Sequence, residues 1–337
     1  MSGLDKFKNT SILITGACGT VGAELTRQIC GAGAARIVCI DNNETELFFL
    51  QELFKSHANV ECYLADVRDL ESLKLRMQGI DIVLHSAALK HVGLCEESPN
   101  QAIHTNIEGV SNVIDAALAC SVGRVIFTSS DKAVNPTNVM GTSKLMGERL
   151  FTAAAMSQRK QSTIFASTRF GNVLGSRGSV VPLFAKQIEK GGPVTLTSRD
   201  MTRFVMTLQE AVSLVLESVW MAVGGEVFIT KMPVARIEDL AAVMVSRMAR
   251  DSNVKIKVVG QKPGEKMYEE LMNDEEVRRT FELEKFFVVL SAFVQPTADR
   301  YPLIANCDHP NRPYQSSHEP PMSTVELDEY LTSGGVI

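Results

Sequence analysis

Residues Thr15-Gly-Ala-Cys-Gly-Thr-Val-Gly22 constrain this chain more than any other stretch, because they follow an apolar run and open a helical pattern. A strand that turns directly into a helix needs backbone where no side chain fits. Gly16 serves the turn, Gly19 the approach to a pyrophosphate, and Gly22 the packing of helix on strand. The unpaired N–H groups of such a helix start face an anion. Asp41 ends the next expected strand, where a carboxylate accepts hydrogen bonds from an adenosine ribose. The stretch Asp41-Asn-Asn-Glu-Thr-Glu46 has no Lys or Arg for a 2′-phosphate, so NAD is favoured and NADP is the second choice. Asp66-Val67, after the third expected strand, suits an adenine contact, although an Asp there equally serves a turn or cap.

Around this turn the first 130 residues alternate short apolar runs with helical stretches, the pattern of a parallel sheet covered on both faces. Strands are expected over 11–15, 36–40, 60–64, 82–85 and 125–128, and helices over 21–30, 44–56, 70–77 and 99–120. Right-handed crossovers stack them into one Rossmann-like, doubly wound α/β sheet. A long helix over 140–158 and a strand over 163–169 follow. Beyond them Gly171, Gly175, Gly178, Gly191, Gly192, Pro182 and Pro193 loosen the pattern. Helices are expected there over 183–190, 209–223 and 237–250, and strands over 227–230 and 254–259. The expected organisation is a dinucleotide-binding domain over 1–172 and a smaller, interleaved C-terminal substrate lobe over 173–337, part of which returns to the sheet. Ser323 with Glu326 forms a capping-box pair, so a last helix is expected over 324–331.

A net charge of −5 and a pI near 5.8 offer no basic surface for nucleic acid. Seven cysteines stand singly, without a Cys-x-x-Cys, so neither metal nor disulfide is expected. No run approaches the ~20 apolar residues of a membrane span, and residues 1–10 lack the apolar core of a leader. The expectation is a cytoplasmic protein.

The long helix begins Met140-Gly-Thr-Ser-Lys144. Positions four apart share a helix face, so residue 140 and Lys144 address one ligand together. A Tyr-x-x-x-Lys pair would present a phenol and an ammonium there, but Met140 transfers no proton. The obvious substitutes are Asp131-Lys132, at the carboxyl end of a parallel strand, the rim where open α/β sheets bind ligands.

These features, with the Ala87-Ala88 pair after the fourth strand, resemble the extended short-chain dehydrogenase/reductase family. More narrowly, the chain looks like the nucleotide-sugar 4,6-dehydratases of bacterial polysaccharide and nonulosonic acid biosynthesis. The resemblance rests on the blocks Ala87-Ala-Leu-Lys-His-Val92, Thr105-Asn106, Ser130-Asp-Lys-Ala-Val-Asn-Pro-Thr-Asn-Val-Met-Gly-Thr-Ser-Lys144 and Arg169-Phe-Gly-Asn-Val-Leu-Gly-Ser-Arg-Gly-Ser-Val-Val-Pro182, with Met201-Thr-Arg-Phe-Val-Met206 and Lys262-Pro-Gly-Glu-Lys266.

The resemblance implies a catalytic set of Ser130, Asp131, Lys132, Met140 and Lys144. It assigns the cofactor to Thr15, Gly16, Cys18, Gly19, Thr20, Val21, Gly22, Asp41, Asn42, Asp66, Val67, Ala87, Ala88, Lys90, Asn106 and Lys144. It assigns the substrate to Lys90, His91, Asn172, Arg177, Ser179, Val180, Arg203, Glu265 and Lys266, with His91 equally readable as a loop histidine. His85 reads as buried structure. The implied substrate is UDP-N-acetylglucosamine, or a GDP-linked sugar in some branches, and a homo-oligomer is implied as well.

The implied reaction oxidises sugar C4, removes the C5 proton, eliminates the C6 hydroxyl as water and returns hydride to C6. The cofactor is regenerated in each turnover and so stays tightly bound. Asp131 is the implied acid for the C6 hydroxyl and Lys132 the C5 base, with Ser130 on the C4 hydroxyl and Lys144 on the nicotinamide ribose. Positive charge from Lys144 and the oxidised nicotinamide is expected to lower the pKa of Lys132. Lys132, Asp131 or a water bridged by Ser130 takes the C4 hydroxyl proton, and the sequence does not choose among them. A 4-epimerase, a 4-reductase or a non-catalytic dinucleotide sensor are the competing readings.

Overall fold

The computed structural model describes residues 3–157, 163–249, 254–261 and 264–337. The expected helix ends at Gln158 and Arg250, and Lys262-Pro263, lie outside the described residues.

The amino-terminal elements alternate as the apolar pattern requires: β1 Ser11–Thr15, α1 Thr20–Gly31, β2 Arg36–Asp41, α2 Glu44–Phe54, β3 Val60–Leu64, α3 Leu70–Arg76 and β4 Ile82–His85. Then come α4 Val92–Glu97, α5 Pro99–Ile103, α6 Gly109–Ala119, β5 Arg124–Ser130, α7 Val139–Ser157 and β6 Ile164–Phe170. The single helix expected over 99–120 is instead α5, a π-turn at His104–Glu108, and α6. The wider turn carries Asn106 inward, where its amide binds both the N–H and the C=O of Leu89 and the Ser143 hydroxyl.

The remainder comprises β7 Asn172–Val173, α8 Val180–Glu189, β8 Val194–Leu196, β9 Thr202–Met206, α9 Leu208–Met221, β10 Val227–Thr230, β11 Val234–Arg236 and α10 Ile237–Met248. It ends with β12 Ile256–Val258, β13 Glu270–Met272, α11 Asp274–Val277, β14 Thr280–Glu282, β15 Phe286–Val289, β16 Tyr314–Gln315 and α12 Thr324–Ser333. Sequence reading misses β7, β8, β9, β11 and β13 to β16; all but the five-residue β9 are two to four residues long, too short to show a period of two. The capping box of Ser323 and Glu326 does open α12.

Nine strands form one sheet in the order β14-β15-β10-β6-β5-β4-β1-β2-β3. Neighbours from β10 across to β3 pair in parallel, while β15 and β14 are antiparallel. Strand order reverses between β1 and β4, which opens a crevice at their carboxyl ends. Successive strand residues face opposite layers: Ile12 and Ile14 pack with Leu25 of α1 and Leu214 of α9, whereas Leu13 packs with Leu73 of α3 and Val113 of α6. A third apolar cluster joins α8, α10 and α12 in a lobe beside the crevice. Chain beyond residue 172 re-enters the sheet through β10, β14 and β15.

Candidate active site

A cavity of about 1180 Å³ opens at the reversal point, lined by Gly16 after β1, Asp41 at the end of β2, Ser86 after β4, Ser130 at the end of β5 and Phe170 at the end of β6. Its floor is glycine because nothing larger fits. Gly16 has φ +65°, and a Cβ on it would sit 2.7 Å from the Ala87 backbone; one on Gly22 would sit 2.3 Å from the Gly16 carbonyl oxygen. The start of α1 has no side-chain cap, so its first N–H groups serve the cavity. Asp41 accepts from Cys18 N at 3.0 Å and Asn43 N at 3.0 Å, which fixes its carboxylate at the β2 terminus. Burial, then the Asp41 charge, pushes the Cys18 thiol up to about 12, so this cysteine is inert. A side-chain-free cradle, an uncapped twelve-residue helix and a terminal carboxylate fit a dinucleotide. Gly16, Cys18, Gly19, Thr20, Val21, Gly22, Asp41, Asn42, Val67, Ala87 and Ala88 all line the cavity.

Four residues assigned from sequence do not line it. Thr15 is buried with its hydroxyl on His85 Nδ1 at 2.7 Å. Asp66 is ion-paired with Arg68 at 2.6 Å and accepts from Asn42. Asn106 pins the 88–90 segment from behind. Asp131, 1% exposed, stands behind Ser130 and Lys132. All four act on the cavity by holding residues that do line it.

The other end of the cavity is a charged cluster. Asp131 Oδ1 accepts from Ser130 Oγ at 2.6 Å, Lys132 N at 2.9 Å and Lys132 Nζ at 3.0 Å. Lys132 Nζ also lies 3.5 Å from Asn172 Oδ1 and 3.5 Å from Glu269 Oε1. Burial works to lower the Lys132 pKa, but Asp131 and Glu269 outweigh it and the net shift is upward. This reverses the sequence expectation. The lysine faces two carboxylates, and Arg203, not Lys144, is the positive neighbour opposing them.

Met140 and Lys144 do line the cavity together from the first turns of α7. Met140 is 3% exposed and packs on Cys95 and Ala102, an apolar seat rather than a polar one. Lys144 Nζ donates to Thr128 O at 2.9 Å and lies 4.7 Å from the centre of the Phe127 ring. Burial brings its pKa down to about 8, with Glu148 one turn away opposing. His85 is buried and neutral, lowered to about 3 by burial and then by Lys144.

Lys90, His91, Asn172, Arg177, Ser179, Val180, Arg203, Glu265 and Lys266 line the cavity too. Their donors are partly spent on the protein. Arg203 donates to Thr202 O at 2.7 Å and Lys266 O at 2.8 Å, and Lys266 Nζ to Val134 O at 2.9 Å. Arg177, 64% exposed, ion-pairs with Glu46 on α2, so its guanidinium stands toward the α2 side of the cavity rather than at the Lys132 cluster. Its backbone N–H donates to Thr20 Oγ1 at 3.2 Å and its carbonyl accepts from Lys90 Nζ at 2.7 Å, which straps the 176–180 loop across the cradle. Sequence reading misses Glu46, Asn138 and Glu269, all on the cavity wall. Only Glu269 had a signal, one acid of a pair just after Lys266.

The glycine cradle at a strand-order reversal, with a lysine one helical turn after Met140 and an Asp-Lys pair on the adjoining strand end, defines an NAD(P)-fold protein of the short-chain dehydrogenase/reductase type. The chain belongs to the polysaccharide biosynthesis protein family, whose profile matches residues 12–291. It is 46% identical over 288 residues to an uncharacterized membrane protein of Methanocaldococcus jannaschii, covering 84% of this chain and 86% of that one. It is 37% identical to a UDP-N-acetylglucosamine 4,6-dehydratase (inverting) of Campylobacter jejuni, covering 84% and 83%. A UDP-glucose 4-epimerase of Rickettsia massiliae is also 37% identical, covering 83% of each. The chain spans only about half the length, 48% and 46%, of polysaccharide biosynthesis proteins from Staphylococcus aureus and Bacillus subtilis. Among solved structures, Pen from Bacillus thuringiensis superposes with a TM-score of 0.91 at 40% identity, covering 98% of this chain and 99% of that one. The dTDP-glucose 4,6-dehydratase of Streptomyces venezuelae, solved with NAD bound, shares the fold at 19% identity and a TM-score of 0.69, covering 77% and 87%. Among the described residues no helix is long and apolar enough to cross a membrane.

Proposed function

We propose that this protein is an NAD-dependent nucleotide-sugar 4,6-dehydratase that converts UDP-N-acetylglucosamine to a 4-keto-6-deoxy sugar nucleotide. The observation that carries the reading is the pair Ser130 and Lys132 on the wall shared with Lys144, both bonded to Asp131 behind them, where position 140 holds a methionine. The relative from Campylobacter jejuni, named for this reaction, and the family's place in polysaccharide biosynthesis support it. A bound nicotinamide dinucleotide supplies the reversible hydride acceptor for C4 and donor for C6.

The chain's own groups then move the protons. Ser130 Oγ, already donating to Asp131 at 2.6 Å, passes the C4 hydroxyl proton to that carboxylate, the role a phenol would otherwise fill. Asp131 is thereby neutralised, which removes one of the two charges holding Lys132 as an ammonium, and the ammonium, 24% exposed, releases one proton to solvent before the amine acts, to be regained when Asp131 is an anion again. Lys132 takes the proton from C5, whose acidity the 4-ketone supplies. As the C5–C6 double bond forms and the C6–O bond breaks, Ser130 gives its proton to the leaving oxygen and regains one from Asp131, so water departs with the proton first taken from O4. Lys132 returns its proton to C5 when C6 is reduced. Lys144 orients the nicotinamide ribose, and the Arg177 strap holds the dinucleotide through turnover.

The test is incubation with NAD and, in parallel, UDP- and GDP-N-acetylglucosamine. The expected product with the UDP sugar has lost one water by mass spectrometry, with its C5 configuration read by NMR. The relative named UDP-glucose 4-epimerase sustains the competing reading. An isobaric product from the UDP sugar overturns the dehydratase reading, and dehydration of the GDP sugar alone corrects the nucleotide. Copurified NAD and an oligomeric mass in light scattering are further expectations of the same reading.

A further inference from the structure

Glu269 is the carboxylate that neither the motifs nor the mechanism above assigns. It lies just before β13, and packing of that strand on the 131–133 turn brings it to Lys132 from 137 positions further along the chain. Its backbone is fixed on both sides: Glu269 N donates to Ser316 Oγ at 3.0 Å, and Ser316 N donates to Glu269 O at 2.8 Å. The side chain is 3% exposed on the cavity wall, with Oε1 3.5 Å from Lys132 Nζ and 3.7 Å from Arg203 Nε.

Its second oxygen, Oε2, is buried and has no hydrogen-bond partner. A carboxylate kept only to hold the fold together is not left in that state. The nearby buried clamp of Arg169 with Glu148 and Glu276 shows the contrast, since all four of those carboxylate oxygens receive hydrogen bonds. An idle, rigidly mounted carboxylate oxygen beside a charged lysine points to use in the chemistry.

We propose that Glu269 is the third member of the proton-transfer centre, a positioning residue that holds Lys132 Nζ at the cavity wall and sets the pH at which that amine becomes free. This rests on the dehydratase reading. The groups facing Lys132 are Asp131 and Glu269, which favour its ammonium, and Arg203, which disfavours it. Those facing Glu269 are Asp131, which with burial raises its pKa, and Lys132, Arg203 and Lys266, which lower it; the net shift is upward, led by burial. When Asp131 takes the C4 hydroxyl proton, Glu269 is the remaining anion that keeps the amine in place.

The test compares full-length Glu269→Gln and Glu269→Asp with the unaltered protein. Competitive acetylation across pH, with the Lys132 peptide read by mass spectrometry, measures the amine directly and needs no substrate. In Glu269→Gln the labelling midpoint of Lys132 is expected to fall by about one to three pH units, the range for losing an opposite charge at this distance. In Glu269→Asp it stays near the original. With UDP-N-acetylglucosamine in D2O, Glu269→Gln is expected to lose dehydration and C5 deuterium uptake on the order of 10²-fold, while Glu269→Asp recovers most of it. A Lys132 midpoint unchanged in Glu269→Gln overturns the proposal, as does a dehydration rate unchanged in that variant. If the midpoint moves but the unaltered protein makes no dehydrated product, the amine clamp stands and the dehydratase reading fails.

Discussion

Gly141→Ala sets two effects of known size against each other. Position 141 lies inside α7, where alanine is favoured over glycine by about 1 kcal/mol, so helix propensity alone predicts a more stable protein. The tertiary structure predicts the opposite. A Cβ at this position would lie 2.1 Å from the carbonyl oxygen of Lys132 and 3.1 Å from its carbonyl carbon. The contact is roughly 1 Å too close, and the obstruction is backbone, which has no rotamer to retreat into. Either α7 or the 131–133 turn must move by about that distance. Asn138, whose Oδ1 caps Gly141 N at 2.8 Å, and the Lys132–Asp131 bond both resist. Overpacking of this kind typically costs about 1–3 kcal/mol, enough to cancel or exceed the propensity gain. The larger consequence is for rate, because a misplacement of roughly 1 Å at the proton-transfer groups costs on the order of 10²-fold. The glycine cradle lies beyond the clash, so NAD affinity is expected to stay within about twofold. Urea denaturation, calorimetric titration with NAD and the dehydration assay read the three quantities separately. An alanine variant that gains stability and keeps full activity would show that the turn and helix are not locked together here, and the reasoning would be wrong.

Three further outcomes follow from the same geometry. Arg169→Met strands buried Glu148 without its cation and leaves buried Glu276 only Arg279 at 3.5 Å, and is expected to lower unfolding stability by about 3–5 kcal/mol in urea titrations; a loss under 1 kcal/mol would contradict the clamp. Lys144 has its folded pKa lowered to about 8 against an ordinary value of 10.5, so the unfolded chain binds more protons between those values. Stability attributable to Lys144 therefore rises with pH across about 8 to 10.5, by roughly 3 kcal/mol, and the difference between the unaltered protein and Lys144→Met should trace that rise. A flat difference would argue that Lys144 is not buried as a charge. Asp41→Ala removes the carboxylate at the β2 terminus and is expected to weaken NAD binding about tenfold to a hundredfold in calorimetry, with an unchanged affinity counting against the ribose assignment.

The parallel core was legible because its signals are local. Of the five strands expected over the first 130 residues, β1, β3 and β4 appear with the expected bounds and β2 and β5 with shifts of one or two residues, since buried parallel strands are continuous apolar runs. The π-turn was not legible, because widening one turn of a helix leaves the apolar periodicity almost intact while redirecting Asn106. Apart from the five-residue β9, the strands of the lobe were missed because two- and three-residue strands are stabilised by their partners and not by their own composition. In the site, the glycine cradle, Lys144 and Lys132 were read from spacing and position and Ser130 from the family resemblance, and the structure brings all of them to the cavity. Asp131 was found as a residue but not as one that stands off the cavity wall, since exposure depends on what packs over it.

What the sequence determined by itself is the set of chemical groups and the strand ends that carry them: glycines where no Cβ fits, an acid at β2, an Asp-Lys pair at β5 and a methionine one turn before Lys144. Adjacent positions on one strand or helix fix those relations without help. Only the tertiary structure decided the electrostatics. Lys132 was expected to be pushed toward its free amine and is instead held as an ammonium, because Asp131 is beside it and packing of β13 on the 131–133 turn brings Glu269 within 3.5 Å from 137 positions away in the chain. Spacing along a chain reports which groups are neighbours in sequence; charge state is set by every group within a few ångströms, and most of those arrive by folding.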